Sequence, residues 1–135
     1  MLQLVDHDEN EESYILVTQF MPGCSLLNYI AHHGVFPMDE TRVRKIILEI
    51  AQGLQDLHQR NIVHRDIKLA NILMSDKSPG AKAIIADFGC AAKLASATDT
   101  LTWRIGTEGY TAPEIVKGKP YSFSVDIYSL GCLMH

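Results

Sequence analysis

Three short polar clusters hold most of the side chains able to do chemistry. They are His64-Arg65-Asp66-Ile67-Lys68-Leu69-Ala70-Asn71, then Asp87-Phe88-Gly89, then Ala112-Pro113-Glu114. Asn71 and Asp87 offer hard oxygen donors, which suit Mg2+ better than a softer metal. Asp66 is free to orient a hydroxyl group, and Lys68 can neutralise charge on a phosphoryl group in transit. That is the minimum set for in-line phosphoryl transfer, where positioning and electrostatics supply most of the rate.

These residues need a frame, and the sequence outlines one of mixed α+β type. Leu2, Leu4 and Val5, then Tyr14 to Thr18, read as two short strands joined by an acidic turn from Asp6 to Glu12. Ser25 is placed to cap a short helix running through His33 and closed by Gly34. Between Asp39 and Arg60 the apolar residues Val43, Ile46, Ile47, Ile50, Leu54 and Leu57 recur at helical steps, with Asp39 and Glu40 at the favourable N-terminal end. Ile62-Val63-His64, Ile72-Leu73-Met74 and Ala83 to Ala86 read as strands, the last two separated by a turn from Ser75 to Gly80. Asp66, Lys68 and Asn71 therefore fall in a loop between two strands, and Asp87 directly follows a strand. Residues 91–109 are small and polar without period, hence a loop, and Ser124 to Met134 begins another apolar helix.

Composition narrows the class. Of 135 residues, 12 are Lys or Arg and 16 are Asp or Glu, a formal charge of -4, with 47% hydrophobic residues. That balance describes a globular chain and argues against a nucleic-acid partner or an anionic membrane surface, both of which call for a basic face. Cys24, Cys90 and Cys132 are odd in number and widely spaced, so free thiols in a reducing compartment are expected. No apolar run nears the ~18 residues of a membrane span, and the acidic start lacks the basic region of a secretory signal. The expectation is an intracellular, cytoplasmic chain. His32, His33, His58 and His135 are scattered and read as solvated, not as a metal site.

Together the clusters match the signature H-R-D-x-K-x-x-N, D-F-G and A-P-E in order, with 16 positions from Asn71 to Asp87 and 27 from Asp87 to Glu114. The chain thus resembles a eukaryotic protein kinase catalytic domain along its whole length. The resemblance implies the end of the small lobe at 1–18, with Thr18 at the gatekeeper position, a hinge at 19–24, and part of the large lobe at 25–135. It implies ATP and Mg2+ as cofactors. Gln19 and Met21 would lie at the adenine through the hinge, Leu73 on the pocket floor, and Asn71 and Asp87 on the metal. Asp66 takes the role of catalytic base beside Lys68, Asn71 and Thr107. Arg65 resembles the basic residue that meets a phosphorylated activation loop. Asp126 resembles the helix aspartate that holds the catalytic-loop backbone. His64 is expected to pack beneath Phe88.

Lys68, two residues after Asp66, and the segment Gly106-Thr107-Glu108-Gly109-Tyr110 resemble serine/threonine kinases. Residues 18–29 instead resemble the hinge of some receptor tyrosine kinases, but that region reads the nucleotide and not the substrate hydroxyl. The implied partners are ATP, a protein substrate bearing Ser or Thr, and an upstream kinase acting on Thr98, Thr100 or Thr102. The Gly-rich phosphate loop, its strand lysine, the helix glutamate and the arginine partner of Glu114 have no counterpart in the 135 residues. The resemblance is therefore to an incomplete domain, inactive by itself. A non-catalytic kinase-like binding fragment, or a tyrosine or dual-specificity kinase, are the alternatives.

Overall fold

The computed structural model describes residues 2–10, 13–32 and 39–135, the side chain of His32 apart. Strands β1 (Leu4–Glu9) and β2 (Tyr14–Thr18) form an antiparallel hairpin, with Asp6, His7, Asp8 and Glu9 opposite Val17, Leu16, Ile15 and Tyr14. The acidic stretch expected as a turn is thus mostly strand. Every side chain of both strands is exposed, so its charges pair the backbone without losing water. Asn10 closes the turn, its Oδ1 accepting from the Ser13 amide at 2.9 Å.

Helix α1 (Leu26–His32) starts where Ser25 Oγ accepts from the Asn28 amide at 3.2 Å. Its expected end at His33 and Gly34 lies outside the described residues. Just before it, the Gly23 amide donates to the Met74 carbonyl at 3.1 Å and the Met74 amide to the Cys24 carbonyl at 2.8 Å. A Cβ on Gly23 would collide with the Asp76 carbonyl and with Met74, so only glycine lets the two chains approach.

Helix α2 (Glu40–His58) follows from its stripe. Asp39 Oδ1 caps it by accepting from the Arg42 amide at 2.9 Å, and Ile46, Ile50, Leu54 and Leu57 are buried. Strands β3 (Ile62–Val63), β4 (Ile72–Met74) and β5 (Ala83–Ile85) come next, β4 antiparallel to β5. The region read as a featureless loop contains β6 (Ala92–Lys93), paired with β3, and a bridge between Leu101 and Tyr121. Two-residue pairings of this kind are set by tertiary contact and leave no local period. Helices α3 (Pro113–Val116) and α4 (Ser124–Leu133) complete the described chain.

The larger core joins α1, α2, β4, β5 and α4 through residues such as Leu26, Ile50, Leu54, Ile67, Ile72, Ile85 and Leu130. Each fully buried aliphatic side chain there contributes about 1.5–3 kcal/mol. A smaller core of Val63, Leu94, Ala112, Ile115, Tyr121 and Val125 lies under the loop that follows β6. Ile67 of the first polar cluster belongs to the larger core and Ala112 of the third to the smaller. No helix of the described residues is long and apolar enough to cross a membrane.

Candidate active site

β3 delivers the chain to His64 and Arg65, where a buried carboxylate takes over the backbone. Asp126, fully buried on α4, accepts from the His64 amide through Oδ2 at 2.9 Å and from the Arg65 amide through Oδ1 at 2.8 Å. His58, at the end of α2, meets the same Oδ2 through Nε2 at 2.8 Å, and its ring lies 4.9 Å from that of Phe123. His58 is therefore a structural partner of a buried charge and not the solvated side chain expected of it. Its position on a helix end gave no hint of a carboxylate 68 residues away.

His64 is also fully buried. Its Nδ1 accepts from the Asp66 amide at 3.3 Å, Nε2 meets the Ala86 carbonyl at 3.1 Å, and its ring packs edge-on to Phe88 at 5.3 Å. Both nitrogens are engaged, so this histidine links the loop to the Asp87-Phe88-Gly89 turn.

Asp66 is the centre of a tight network. Its Oδ1 accepts from Thr107 Oγ1 at 2.6 Å, and its Oδ2 accepts from Lys68 Nζ at 2.8 Å and Asn71 Nδ2 at 2.9 Å. Lys68 Nζ also donates to Thr107 Oγ1 at 2.8 Å, closing a triangle. Burial pushes the Asp66 carboxyl up, but the bonds from Lys68, Thr107 and Asn71 and the Lys68 charge together hold it below the usual range. It is an ionised acceptor and a weak base.

Asn71 ends a single 3-10 turn (Leu69–Asn71), and its amide nitrogen is spent on the Asp66 carbonyl and carboxylate, both at 2.9 Å. That fixes the amide orientation and leaves Oδ1 as the oxygen on offer. The Asn71 carbonyl accepts from the Ala86 amide at 2.9 Å, which sets Asp87 beside it at the end of β5. Asp87 is exposed, with Oδ1 accepting from the Gly89 amide at 3.2 Å. Asn71 Oδ1 and the Asp87 carboxylate are hard oxygen donors of the kind that suit Mg2+. Among the described residues no cluster of three or more His, Cys, Asp or Glu competes as a metal site.

Arg65 and Asp87 both hold a left-handed backbone, φ 69° and 60°. For residues other than glycine this costs of order 1–3 kcal/mol and persists where surroundings over-determine it. Here Asp126 and the Ala86–Asn71 bond do so.

Gln19, Met21 and Leu73 make no polar contact with this network. They join it through the backbone, because β4 carries Leu73 and is bonded to Gly23 and Cys24. The Gln19 amide is used by the Gln3 carbonyl at 2.9 Å, leaving the Gln19 carbonyl and the Met21 N–H unengaged among the described residues. Glu114 sits on α3 and forms no ion pair among the described residues.

A family model described as "Protein kinase domain" matches residues 1–135. The chain belongs to the protein kinase family. Its early strands and later helical portion are those of the protein kinase α+β fold. A serine/threonine-protein kinase of Arabidopsis thaliana is 39% identical over 120 residues, covering 88% of this chain and 20% of the relative. A calcium/calmodulin-dependent protein kinase of Emericella nidulans is 34% identical over 135 residues, all of this chain and 32% of the relative. A probable myosin light chain kinase of Dictyostelium discoideum is 36% identical over 135 residues, all of this chain and 27% of the relative. The chain thus spans between a fifth and a third of these curated relatives.

Two residues of this kinase segment that touch the site through others went unread in the sequence. His58 reads as a solvated helix-end residue, and nothing around Tyr121 marks it out from an ordinary aromatic. Tyr121 is buried and accepts from Arg65 Nη1 at 3.3 Å.

Proposed function

We propose that the protein transfers the γ-phosphate of ATP to Ser or Thr hydroxyls of protein substrates. The observation that carries this is the closed triangle of Asp66, Lys68 and Thr107. It holds one ionised oxygen acceptor and one ammonium side by side in a largely buried site. Asp66 orients the substrate hydroxyl through Oδ1 and takes its proton as the new oxygen–phosphorus bond forms and the bond from the γ-phosphorus to the β-phosphate oxygen breaks, releasing ADP. Its low basicity suits a proton that leaves late. Lys68 neutralises the developing charge on the moving phosphoryl group. Asn71 and Asp87 would hold Mg2+, which would supply positive charge to neutralise the nucleotide phosphates. The Gln19 carbonyl and Met21 N–H are suited to the adenine edge, with Leu73 beneath it.

Division into a small-lobe end at 1–18, a hinge at 19–24 and a large-lobe part at 25–135 belongs to the same reading. Among the described residues Lys68 is the one cation in the network, so transfer is proposed for the whole protein and not for residues 1–135 alone. Serine/threonine specificity is supported by Lys68 and Thr107 and by the names of the relatives. Thr98, Thr100 and Thr102 are exposed and open to an upstream kinase, with Thr102 the first choice because it adjoins Trp103, whose carbonyl lies two hydrogen bonds from Arg65.

The test uses the full-length protein with a generic protein substrate and phosphoamino-acid analysis. Phosphoserine or phosphothreonine is expected, and Asp87→Asn should lower transfer by about a hundredfold or more with unchanged thermal unfolding. Near-normal transfer by Asp87→Asn rejects the metal assignment, and phosphotyrosine as the main product rejects the specificity.

A further inference from the structure

The phenol of Tyr121 stands where two distant parts of the chain meet the catalytic loop. Its hydroxyl donates to the Trp103 carbonyl at 2.7 Å and accepts from Arg65 Nη1 at 3.3 Å. Arg65 Nε in turn donates to the Cys90 carbonyl at 2.6 Å. The backbone of Tyr121 pairs with Leu101 through two bonds of 2.8 and 2.9 Å. Its ring is buried in the smaller core with Val63, Leu94 and Val125. A continuous path therefore runs from the Cys90 carbonyl through Arg65 and Tyr121 to the Trp103 carbonyl. It ties the start of the 90–103 segment to its end. Four residues further on, Thr107 donates to Asp66.

We propose that Tyr121 is a positioning residue: its hydroxyl latches the 101–107 segment to Arg65 and so sets Thr107 and Lys68 against Asp66. The latch uses a neutral hydroxyl on a cation that forms no ion pair among the described residues. It thereby holds the segment without any added charge. Loss of the hydroxyl leaves a part-buried carbonyl and a part-buried guanidinium N–H without their partner at once, so the variant loses both bonds of the latch. A phosphate on the neighbouring segment would supply Arg65 with a stronger partner and make the hydroxyl dispensable. The proposal rests on reading Asp66 and Thr107 as parts of a phosphoryl-transfer site.

The experiment is Tyr121→Phe in the full-length protein, which keeps the buried ring and removes one oxygen. Two readouts are needed, both on phosphatase-treated protein. Amide hydrogen exchange over residues 99–107 should accelerate about 3- to 10-fold while exchange in α2 stays at the wild-type rate. In steady-state transfer, kcat should fall by about the same factor with KM for ATP unchanged. Phosphorylation of the 98–102 stretch should then narrow the gap between variant and wild type. Wild-type exchange over 99–107 in Tyr121→Phe overturns the latch, as does acceleration that is equal in α2, because that marks a general loss of packing. A wild-type kcat with faster local exchange overturns the positioning role. If the wild-type protein transfers no phosphate at all, the functional reading has failed, and the exchange result still decides the latch.

Discussion

The β1–β2 hairpin and the β4–β5 pair are both antiparallel, but they solve different problems. The hairpin is the longer, with pairs from Leu4–Thr18 to Glu9–Tyr14, and none of its side chains is buried. β4–β5 has three pairs, and Ile72, Met74, Ala83 and Ile85 are buried. Chemistry-bearing residues lie at the ends of the short pair. Length of ladder therefore does not make a platform rigid here. Side chains driven into a core, with buried polar groups pinning the adjoining loops, do so.

Three measurements would sharpen or break that contrast. The largest effect is expected for Asp126→Ala, which leaves the His64 and Arg65 amides without their acceptor. At about 1–3 kcal/mol for each buried N–H, denaturant unfolding should show a loss of about 2–6 kcal/mol. A loss near zero would mean that the loop is held by something other than this carboxylate.

Next comes a matched pair of truncations. Leu54→Ala in the core should cost about 2–5 kcal/mol, whereas Leu16→Ala, 66% exposed on the hairpin, should cost about 0.5 kcal/mol or less. Equal costs would show that the hairpin faces are covered in the working protein.

The smallest effect concerns acid. The folded Asp66 carboxyl is held below its usual range, so its contribution is fully present above that range. It is lost as pH falls through the lower folded value. Stability measured from neutral pH to mild acid should thus show no step from Asp66. Asp66→Asn should differ from wild type by a constant amount there and converge on it only in stronger acid. Convergence already in mild acid contradicts the lowered carboxyl.

How much of this could be read beforehand depended on whether the determinant was local. The α2 stripe and the acidic residues at its N-terminal end are properties of neighbouring residues, and both stand where the sequence placed them, the structure adding that Asp39 caps the helix. The apolar runs of β3, β4 and β5 were legible for the same reason. The extension of β1 through Glu9 was not, because acidic residues resemble a turn unless both faces of a strand are wet. β6 and the Leu101–Tyr121 bridge were illegible because each needs a partner 30 residues or 20 residues away. In the site, the spacing of Asp66, Lys68 and Asn71 makes a shared loop readable, whereas Thr107, 41 residues downstream, is placed beside Asp66 only by the family resemblance, and the structure sets the two side chains in hydrogen-bond contact. His58 and Tyr121 act only through such distant contacts, and nothing in their sequence neighbourhoods distinguishes them from ordinary helix-end and core residues.

The close approach at Gly23 has a thermodynamic consequence for ligands. Because the backbone there is bonded in both directions to Met74, the stretch carrying Met21 and the strand carrying Leu73 must fluctuate together. A planar ring seated between them would meet two surfaces whose relative motion is already restrained. Little freedom would remain to be lost on binding, so affinity would reflect the contacts made more than the cost of ordering the walls. Any side chain at position 23 would separate those walls and loosen planar ligands of every kind, whether or not they reach Asp66.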